Sequence, residues 1–120
     1  MGTIILSWPL AALSPNSRQH WSKVSRAKKA ARAEGYYATK EALPGFKHSG
    51  GRIRFTPTAH PPDRRRRDDD NISASLKAYR DGIAEALGID DSLFDQAALQ
   101  WGEPVAGGRI VVSLTASPDP

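Results

Sequence analysis

One segment of this chain places arginine, which binds phosphate well, directly beside carboxylates that suit a divalent cation. The segment runs from His60 to Asn71 and reads HPPDRRRRDDDN. The planar guanidinium group binds phosphate through paired hydrogen bonds, whereas clustered carboxylates supply the oxygen ligands that Mg²⁺ and Ca²⁺ take. Four adjacent arginines also repel one another, and pairing with aspartate alone does not require all four. The segment therefore predicts a metal-dependent nuclease site on a DNA-binding surface.

The aspartates of this segment have a defined relation to one another. Asp68 and Asp70 are two residues apart, so in an extended segment they point to one side and Asp69 points to the other. Asp90 and Asp91 form a second pair, after a helix of about 16 residues that spans roughly 24 Å. Asp91 therefore approaches Asp70 only if the turn folds back strongly, or if a second subunit brings the two ends together.

The same aspartates also have a purely structural interpretation. Carboxylates that precede a helix cap its N-terminus and compensate its dipole, and Asp70 or Asn71 is the predicted N-cap here. Asp90 and Asp91 also suit a polar turn. The adjacent run of arginines favours the functional interpretation.

Composition limits the kind of site and the kind of protein. The chain has 120 residues and no cysteine, which predicts one domain without disulfides or thiolate metal sites. A metal site must then use carboxylates, histidine or carbonyl groups, which favours Mg²⁺, or Mn²⁺ as a substitute, over structural zinc. The sequence shows neither an apolar run of roughly 18–20 residues nor a signal-peptide pattern. We expect a cytoplasmic protein without a membrane contact or a small-molecule cofactor.

Charge is distributed unevenly along the chain, although the net charge is only +4. Fourteen of the 17 Lys and Arg residues lie at or before Arg67, and nine of the 13 Asp and Glu residues lie between Asp68 and Glu103. A solvated helix face usually mixes signs, so a basic run without acidic residues from Asn16 to Arg32 favours phosphate contact. The predicted DNA-binding residues are Arg18, His20, Lys23, Arg26, Lys28, Lys29, Arg64, Arg65, Arg66, Arg67 and Asn71.

Hydrophobic periodicity predicts an α/β (α+β) domain with the order β-α-β-α-β-β. The predicted strands are residues 3–8, 52–59, 97–101 and 109–115, and residues 116–120 are expected to form a frayed tail. The first predicted helix covers about Ser22 to Leu43 with Ser22 as N-cap, and Gly35 leaves a broken and a continuous helix equally open. Gly88 is predicted to end the second helix. The apolar stripe of that helix is Ile72, Leu76, Tyr79, Ile83 and Leu87.

The run from Pro62 to Asn71, followed by a helix and then by Asp90 and Asp91, resembles the RusA family of Holliday junction resolvases. These are small endonucleases associated with phages and prophages. The layout is also similar, with an opening Trp8-Pro9 strand, a Pro15-Asn16 loop and a closing Gly107-Gly108-Arg109 strand. The resemblance spans most of the chain, and the arginine–aspartate–asparagine run is its most specific part.

The resemblance implies a small mixed sheet packed with two helices, and a homodimer that makes paired, Mg²⁺-dependent nicks in four-way junction DNA. It places metal-binding carboxylates at Asp68, Asp70 and Asp91. It also implies a lysine one turn after the second motif aspartate, where this sequence has Ala74. The nearest lysine is Lys77, one turn further along, and we expect it to neutralise charge that develops on the phosphate.

Two other functions stay open on the sequence. The first is a non-catalytic phage DNA-binding or replication-accessory protein that keeps the DNA-binding surface but does not cut, and Ala74 motivates it. The second is a small interaction protein or an RNase-like toxin, in which the arginine–aspartate run is an internally paired ion cluster. These functions differ in whether the arginines are neutralised within the chain and in whether junction DNA is cleaved.

Overall fold

The computed structural model of the protein describes residues 1–118, in which one mixed sheet packs against helices. Its strands are β1 (Gly2–Ser7), β2 (Ile53–His60), β3 (Phe94–Gln96), β4 (Gln100–Trp101) and β5 (Arg109–Ala116). Its α-helices are α1 (Trp21–Ala42), α2 (Asp69–Ser75) and α3 (Lys77–Leu87), with short 3₁₀ turns at Ala11–Leu13 and Asp91–Leu93. None of the helices within residues 1–118 is long and apolar enough to cross a membrane.

Strand β5 lies between β1 and β2 and is antiparallel to both. Strand β2 is also parallel to β3 and β4, which pair with its beginning and its end, respectively. The sheet is therefore mixed, and the expected α+β class is confirmed. The buried face comes from alternation, since Ile53, Phe55, Pro57 and Ala59 of β2 point inward.

The strand predicted over residues 97–101 is interrupted, and Pro57 gives the physical reason. The carbonyl oxygens of Phe55 and Ala59 accept hydrogen bonds from the N–H groups of Ala97 and Gly102. The backbone N–H and C=O groups of every second residue of β2, counted from Phe55, therefore point toward β3 and β4. Pro57 occupies the position between them in this alternation but has no N–H to donate. The chain beside it leaves the strand between Gln96 and Gln100.

The two long helices cross with their backbones in contact. A Cβ atom on Gly35 of α1 would collide with the carbonyl oxygen of Tyr79, and one on Gly82 of α3 would collide with that of Arg32. The sequence left open whether Gly35 breaks the first helix, and α1 runs through it without interruption. Glycine is needed here for close approach rather than for a turn.

Three predicted helix boundaries are wrong. The ring of His20, rather than Ser22, caps α1, because Nδ1 accepts the N–H of Ser22 at 3.2 Å. Asp68 caps α2 in place of Asp70 or Asn71. The second predicted helix is divided at Leu76, whose N–H bonds the carbonyl of Ser73 at 3.1 Å in a tighter, 3₁₀-type turn.

The other end of the second predicted helix is confirmed. Gly88 has the left-handed φ of 71°, and the N–H of Ile89 reaches back to the carbonyl of Ala84 at 3.1 Å. The predicted tail is ordered further than expected, since Ala116 pairs with Ile53 at the end of β5. The last two residues of that predicted tail, 119–120, lie outside the described part of the chain.

Candidate nucleic-acid interface

The Asp63 carboxylate organises the arginine segment, which we define as residues 63–67. Its Oδ1 accepts the backbone N–H of Arg65 at 2.9 Å and the guanidinium Nη2 of Arg67 at 2.8 Å. These two hydrogen bonds lower the pKa of Asp63 below its ordinary value, and the backbone hydrogen bond from Arg65 has the larger effect. The segment is therefore a defined turn between β2 and α2.

Arg67 is the structural member of this segment. Its side chain is only 13% exposed, and the guanidinium lies 5.5 Å from the ring centroid of Trp8. It also donates to the carbonyl oxygens of Asp63 at 3.1 Å and Arg65 at 2.8 Å. Arg67 thus uses most of its donors within the fold, although the sequence predicts a DNA contact for it.

The other arginines of the segment face solvent. Arg64 pairs with Glu103 at 3.1 Å and Arg65 with Asp63 at 3.4 Å, and both arginine side chains are 80% exposed. Exposed pairs of this kind contribute little energy, so a phosphate can displace them. Arg66 forms no ion pair within residues 1–118. Within residues 1–118, none of the arginines of the segment forms an ion pair with Asp68, Asp69 or Asp70.

The three aspartates that follow have three different environments. Oδ1 of Asp68 accepts the N–H groups of Asp70 at 2.8 Å and Asn71 at 3.2 Å, which makes Asp68 the cap of α2. Asp69, interpreted above as pointing away, accepts the indole N–H of Trp101 at 2.7 Å. Asp70 is an exposed residue inside α2. The extended arrangement predicted for Asp68 and Asp70 is therefore wrong, because the helix begins between them.

Asp91 lies far from these residues. It sits 3.9 Å from Arg80 and just before β3, which pairs with the beginning of β2 at Ile53. Asp69 bonds Trp101 of β4, which pairs with β2 at Ala59. Six residues of extended β2 separate these points, which is about 20 Å at the usual rise per residue. The turn after α3 does not fold back toward Asp70.

The described residues of one chain do not bring three carboxylate or histidine side chains together. Over residues 1–118, no three Asp, Glu or His side chains come close enough together to hold a metal ion. The oxygen donors of Asp68 and Asp70 have the chemistry that Mg²⁺ prefers, but one oxygen of Asp68 already serves as a helix cap. A site that contains Asp68, Asp70 and Asp91 together would therefore need Asp91 from a second copy.

A second positive surface lies between α1 and α3, and we call it the basic groove. It has a volume of about 700 Å³ and is lined by Lys28, Lys29 and Arg32 of α1 and by Lys77 and Asp81 of α3. Arg32 pairs with Glu85 at 3.1 Å and Lys77 with Asp81 at 3.6 Å. In the described part of the chain neither Lys28 nor Lys29 has an acidic partner.

The fold gathers part of the predicted DNA-binding set in this groove. Lys77 lines it beside Lys28 and Lys29, because the break at Leu76 starts a new helix with Lys77 as its first residue. Asn71 accepts a hydrogen bond from the Asn16 amide at 3.3 Å, which ties the loop before α1 to α2. The remaining predicted residues are exposed along the start of α1 and the loop before it: Arg18, His20, Lys23 and Arg26.

A smaller cleft lies beside the arginine segment, and the sequence interpretation missed its central residue. We call it the tryptophan cleft; it has a volume of about 290 Å³ and is lined by Arg64, Arg65, Asp69 and Trp101, among others. Trp101 is 39% exposed, so part of its indole surface is accessible from the cleft. The sequence signal was a tryptophan at the end of a short predicted strand, followed directly by Gly102.

Comparison with known proteins identifies one relative that covers nearly the whole chain. It is an uncharacterized protein of Xylella fastidiosa (strain Temecula1 / ATCC 700964), 40% identical over an alignment of 119 residues; the alignment covers 96% of this chain and 76% of that protein. This chain belongs to the same family as the Xylella protein. A search against models of protein families gave no match.

Proposed function

We propose that this member of the family is a structure-selective DNA endonuclease that resolves four-way junctions by paired nicks. The position of α2 is the observation that carries the proposal. The helix begins directly after the arginine segment, and its end, at Ala74 and Ser75, lines the basic groove. Two positive surfaces therefore flank one short helix of roughly 10 Å that presents the exposed carboxylate of Asp70. A DNA strand whose phosphates bind both surfaces would pass close to this carboxylate.

The proposal includes Mg²⁺, with Mn²⁺ as a substitute, and a homodimer. The donors would be Asp68 and Asp70 of one copy and Asp91 of the other, since one chain keeps Asp91 at the opposite end of β2. Lys77 would contact phosphate from within the basic groove, together with Lys28 and Lys29. The proposed location is the cytoplasm, where the DNA substrate lies.

Cleavage of defined DNA substrates tests the activity directly. Purified protein is incubated with a fixed four-way junction, with linear duplex and with single strands, in Mg²⁺ or in EDTA, and the product ends are mapped. We expect paired nicks in the junction that depend on Mg²⁺. Asp70→Asn should abolish nicking and leave junction binding intact, whereas Glu41→Gln, a matched change on the exposed side of α1, should leave both nicking and binding unchanged. Undiminished nicking by the Asp70→Asn protein would contradict the proposal.

A mixing experiment tests whether Asp91 acts across the dimer. Asp70→Asn and Asp91→Asn proteins are each inactive in the proposed site. In mixed dimers, one of the two sites would combine an intact Asp70 with an intact Asp91, so single nicks should reappear. If both residues belong to one chain, every site of the mixed dimer carries a substitution and no nicking returns.

A second candidate is a non-catalytic DNA-binding protein. It is favoured by the incomplete carboxylate set of one chain and by Ala74, which occupies the position where the resembled family has lysine. Junction binding with a steep salt dependence, but no cleavage in Mg²⁺ or Mn²⁺, would select this candidate over the enzyme.

A further inference from the structure

The tryptophan cleft combines an aromatic surface with a group of arginines. Trp101 forms one wall, and the arginine segment forms the other through Arg64, Arg65 and Arg67. Gly102 and Pro104 also line the cleft. At about 290 Å³ it is close to the lower limit of the size range for small-molecule sites, which is compatible with one nucleotide.

The indole of Trp101 is held in a fixed orientation. Its N–H, which is its only polar side-chain atom, donates to Oδ1 of Asp69 at 2.7 Å. Because this donor is already used, the indole offers the cleft only its carbon surface. A single neighbouring strand, β2, pairs with β4 in the described part of the chain, so this edge of the sheet is not covered by a further strand.

Two guanidinium groups of the cleft, those of Arg64 and Arg65, face solvent and can pair with an anionic partner. Three arginines, Arg64, Arg65 and Arg67, and two aspartates, Asp63 and Asp69, line the cleft, and the Asp63 carboxylate is shared between Arg65 and Arg67. Arg64 reaches Glu103 only through a pair in which both side chains are at least 80% exposed. An aromatic ring beside solvent-facing guanidinium groups is the combination that binds single-stranded nucleic acid, in which bases stack and phosphates pair with arginine.

From this arrangement we infer that the tryptophan cleft binds one unpaired nucleotide of a DNA strand. Its base stacks on Trp101, and its phosphate pairs with Arg64 or Arg65. The inference rests on the proposed DNA substrate and names the feature of that substrate which the cleft recognises. A base within intact duplex has neighbours on both faces, whereas a base at a branch point or in a single strand has a free face for the indole.

A fluorescence titration tests the stacking itself. Trp8 and Trp21 are replaced by phenylalanine, so that Trp101 is the only reporter among the three tryptophans. The titrants are an oligothymidylate of about eight nucleotides and an abasic strand of equal length and charge. We expect strong quenching by oligothymidylate and little by the abasic strand. Equal quenching by both strands would contradict base stacking.

Substitutions in the otherwise native chain separate stacking from a structural role. Trp101→Ala should weaken binding of the oligothymidylate about tenfold, within the range expected for one stacked base, whereas Trp101→Phe should weaken it less than about threefold. Tyr37→Ala, at another exposed aromatic residue on α1, should change nothing. Unchanged binding by Trp101→Ala overturns the inference. So does equal loss in the alanine and phenylalanine proteins, because the Asp69 hydrogen bond would then be what matters.

Measuring nicking on the same proteins keeps the two proposals apart. If the wild-type protein does not nick but Trp101 is quenched by bases, the inference stands and the endonuclease proposal fails. If the junction is nicked normally and Trp101→Ala binds like the wild type, the endonuclease proposal stands and the inference fails.

Discussion

The arginine segment and the basic groove carry charge of the same sign but acquire it in opposite ways. In the arginine segment the cations are adjacent in sequence. Asp63 and Glu103 form ion pairs with three of them, and the side chain of Arg67 is largely covered by the fold. In the basic groove, Lys28 and Lys77 come from different helices and are nearly 50 positions apart. Lys28 and Lys29 keep no acidic partner within residues 1–118.

The difference teaches that adjacency in sequence and availability to a ligand are separate properties. Contiguous arginines must be held apart, and part of their hydrogen-bonding capacity is used for that purpose. Lysines that a helix crossing brings together can point at one ligand without such constraints. We therefore expect the basic groove to supply most of the affinity for DNA phosphates, and the arginine segment to position the strand.

The largest expected effect comes from the helix crossing that builds the groove. Gly82→Ala places a methyl group against the carbonyl of Arg32, where only backbone can yield. We expect the free energy of unfolding to fall by about 3 kcal/mol, the upper end for overpacking, and DNA affinity to fall without any change of charge. Urea unfolding and junction binding measure the two. Gly45→Ala lies in open space but at a left-handed φ of 72°, so it should lower the free energy of unfolding by about 1 kcal/mol and leave DNA affinity unchanged; an equal loss of DNA affinity there would break the comparison.

A smaller effect is expected when the unpaired lysines are removed. Lys28→Ala with Lys29→Ala should weaken junction binding by roughly 10- to 100-fold at low salt and lower the slope of log K against log salt by about 2. Lys40→Ala with Lys47→Ala removes the same charge outside the groove and is the control. If both pairs act alike, only net charge matters and the groove has no special role.

Asp68 allows its structural and chemical roles to be separated. Asp68→Ala removes the cap of α2 and should lower the free energy of unfolding by about 1 kcal/mol. Asp68→Asn keeps a capping oxygen and should preserve stability, but it loses the carboxylate charge. We expect both proteins to fail in nicking. Normal nicking by the Asp68→Asn protein would mean that Asp68 acts only as the helix cap and has no role in cleavage.

The smallest expected effect is a pH response of the arginine segment. The pKa of Asp63 is lowered by its hydrogen bonds from Arg65 and Arg67, so its ionised form stabilises the segment above the ordinary aspartate value of about 3.9. This contribution is lost as pH falls through the lower folded-state pKa. In a chain with Trp8 as the single tryptophan, emission should change in this range, because Arg67 lies against the ring. Asp63→Asn should show the acidic signal at neutral pH; a wild-type signal there would contradict the assignment.

Local patterns in the sequence predicted three of the strands, β1, β2 and β5, and the end of α3. Alternation located β2 and β5, and Gly88 marked the end of α3, because each depends on a few neighbouring residues. The split at Leu76 was missed, since the apolar stripe continues across it into the same hydrophobic core. Pro57 could have been interpreted as a break in pairing only once its neighbouring strand was known.

The candidate site was predictable in part for a similar reason. The exposed arginines and the helix start at residues 68–70 follow from local chemistry. The bond between Asp69 and Trp101 joins residues 32 positions apart and depends on the parallel pairing of β4 with β2. The gathering of Lys77 with Lys28 depends on Gly35 and Gly82, whose role as contact points appears only when both helices are in place.

The separation of Asp91 from Asp70 along β2 has a consequence for how cutting would depend on dose. If the site needs two copies, cleavage rises with the square of protein concentration below the dimer dissociation constant, while DNA binding by single chains rises linearly. Isolated copies would then occupy DNA without breaking it. A cell would receive nicks only where two copies meet on one branch point, so a stray chain on intact duplex would do no damage.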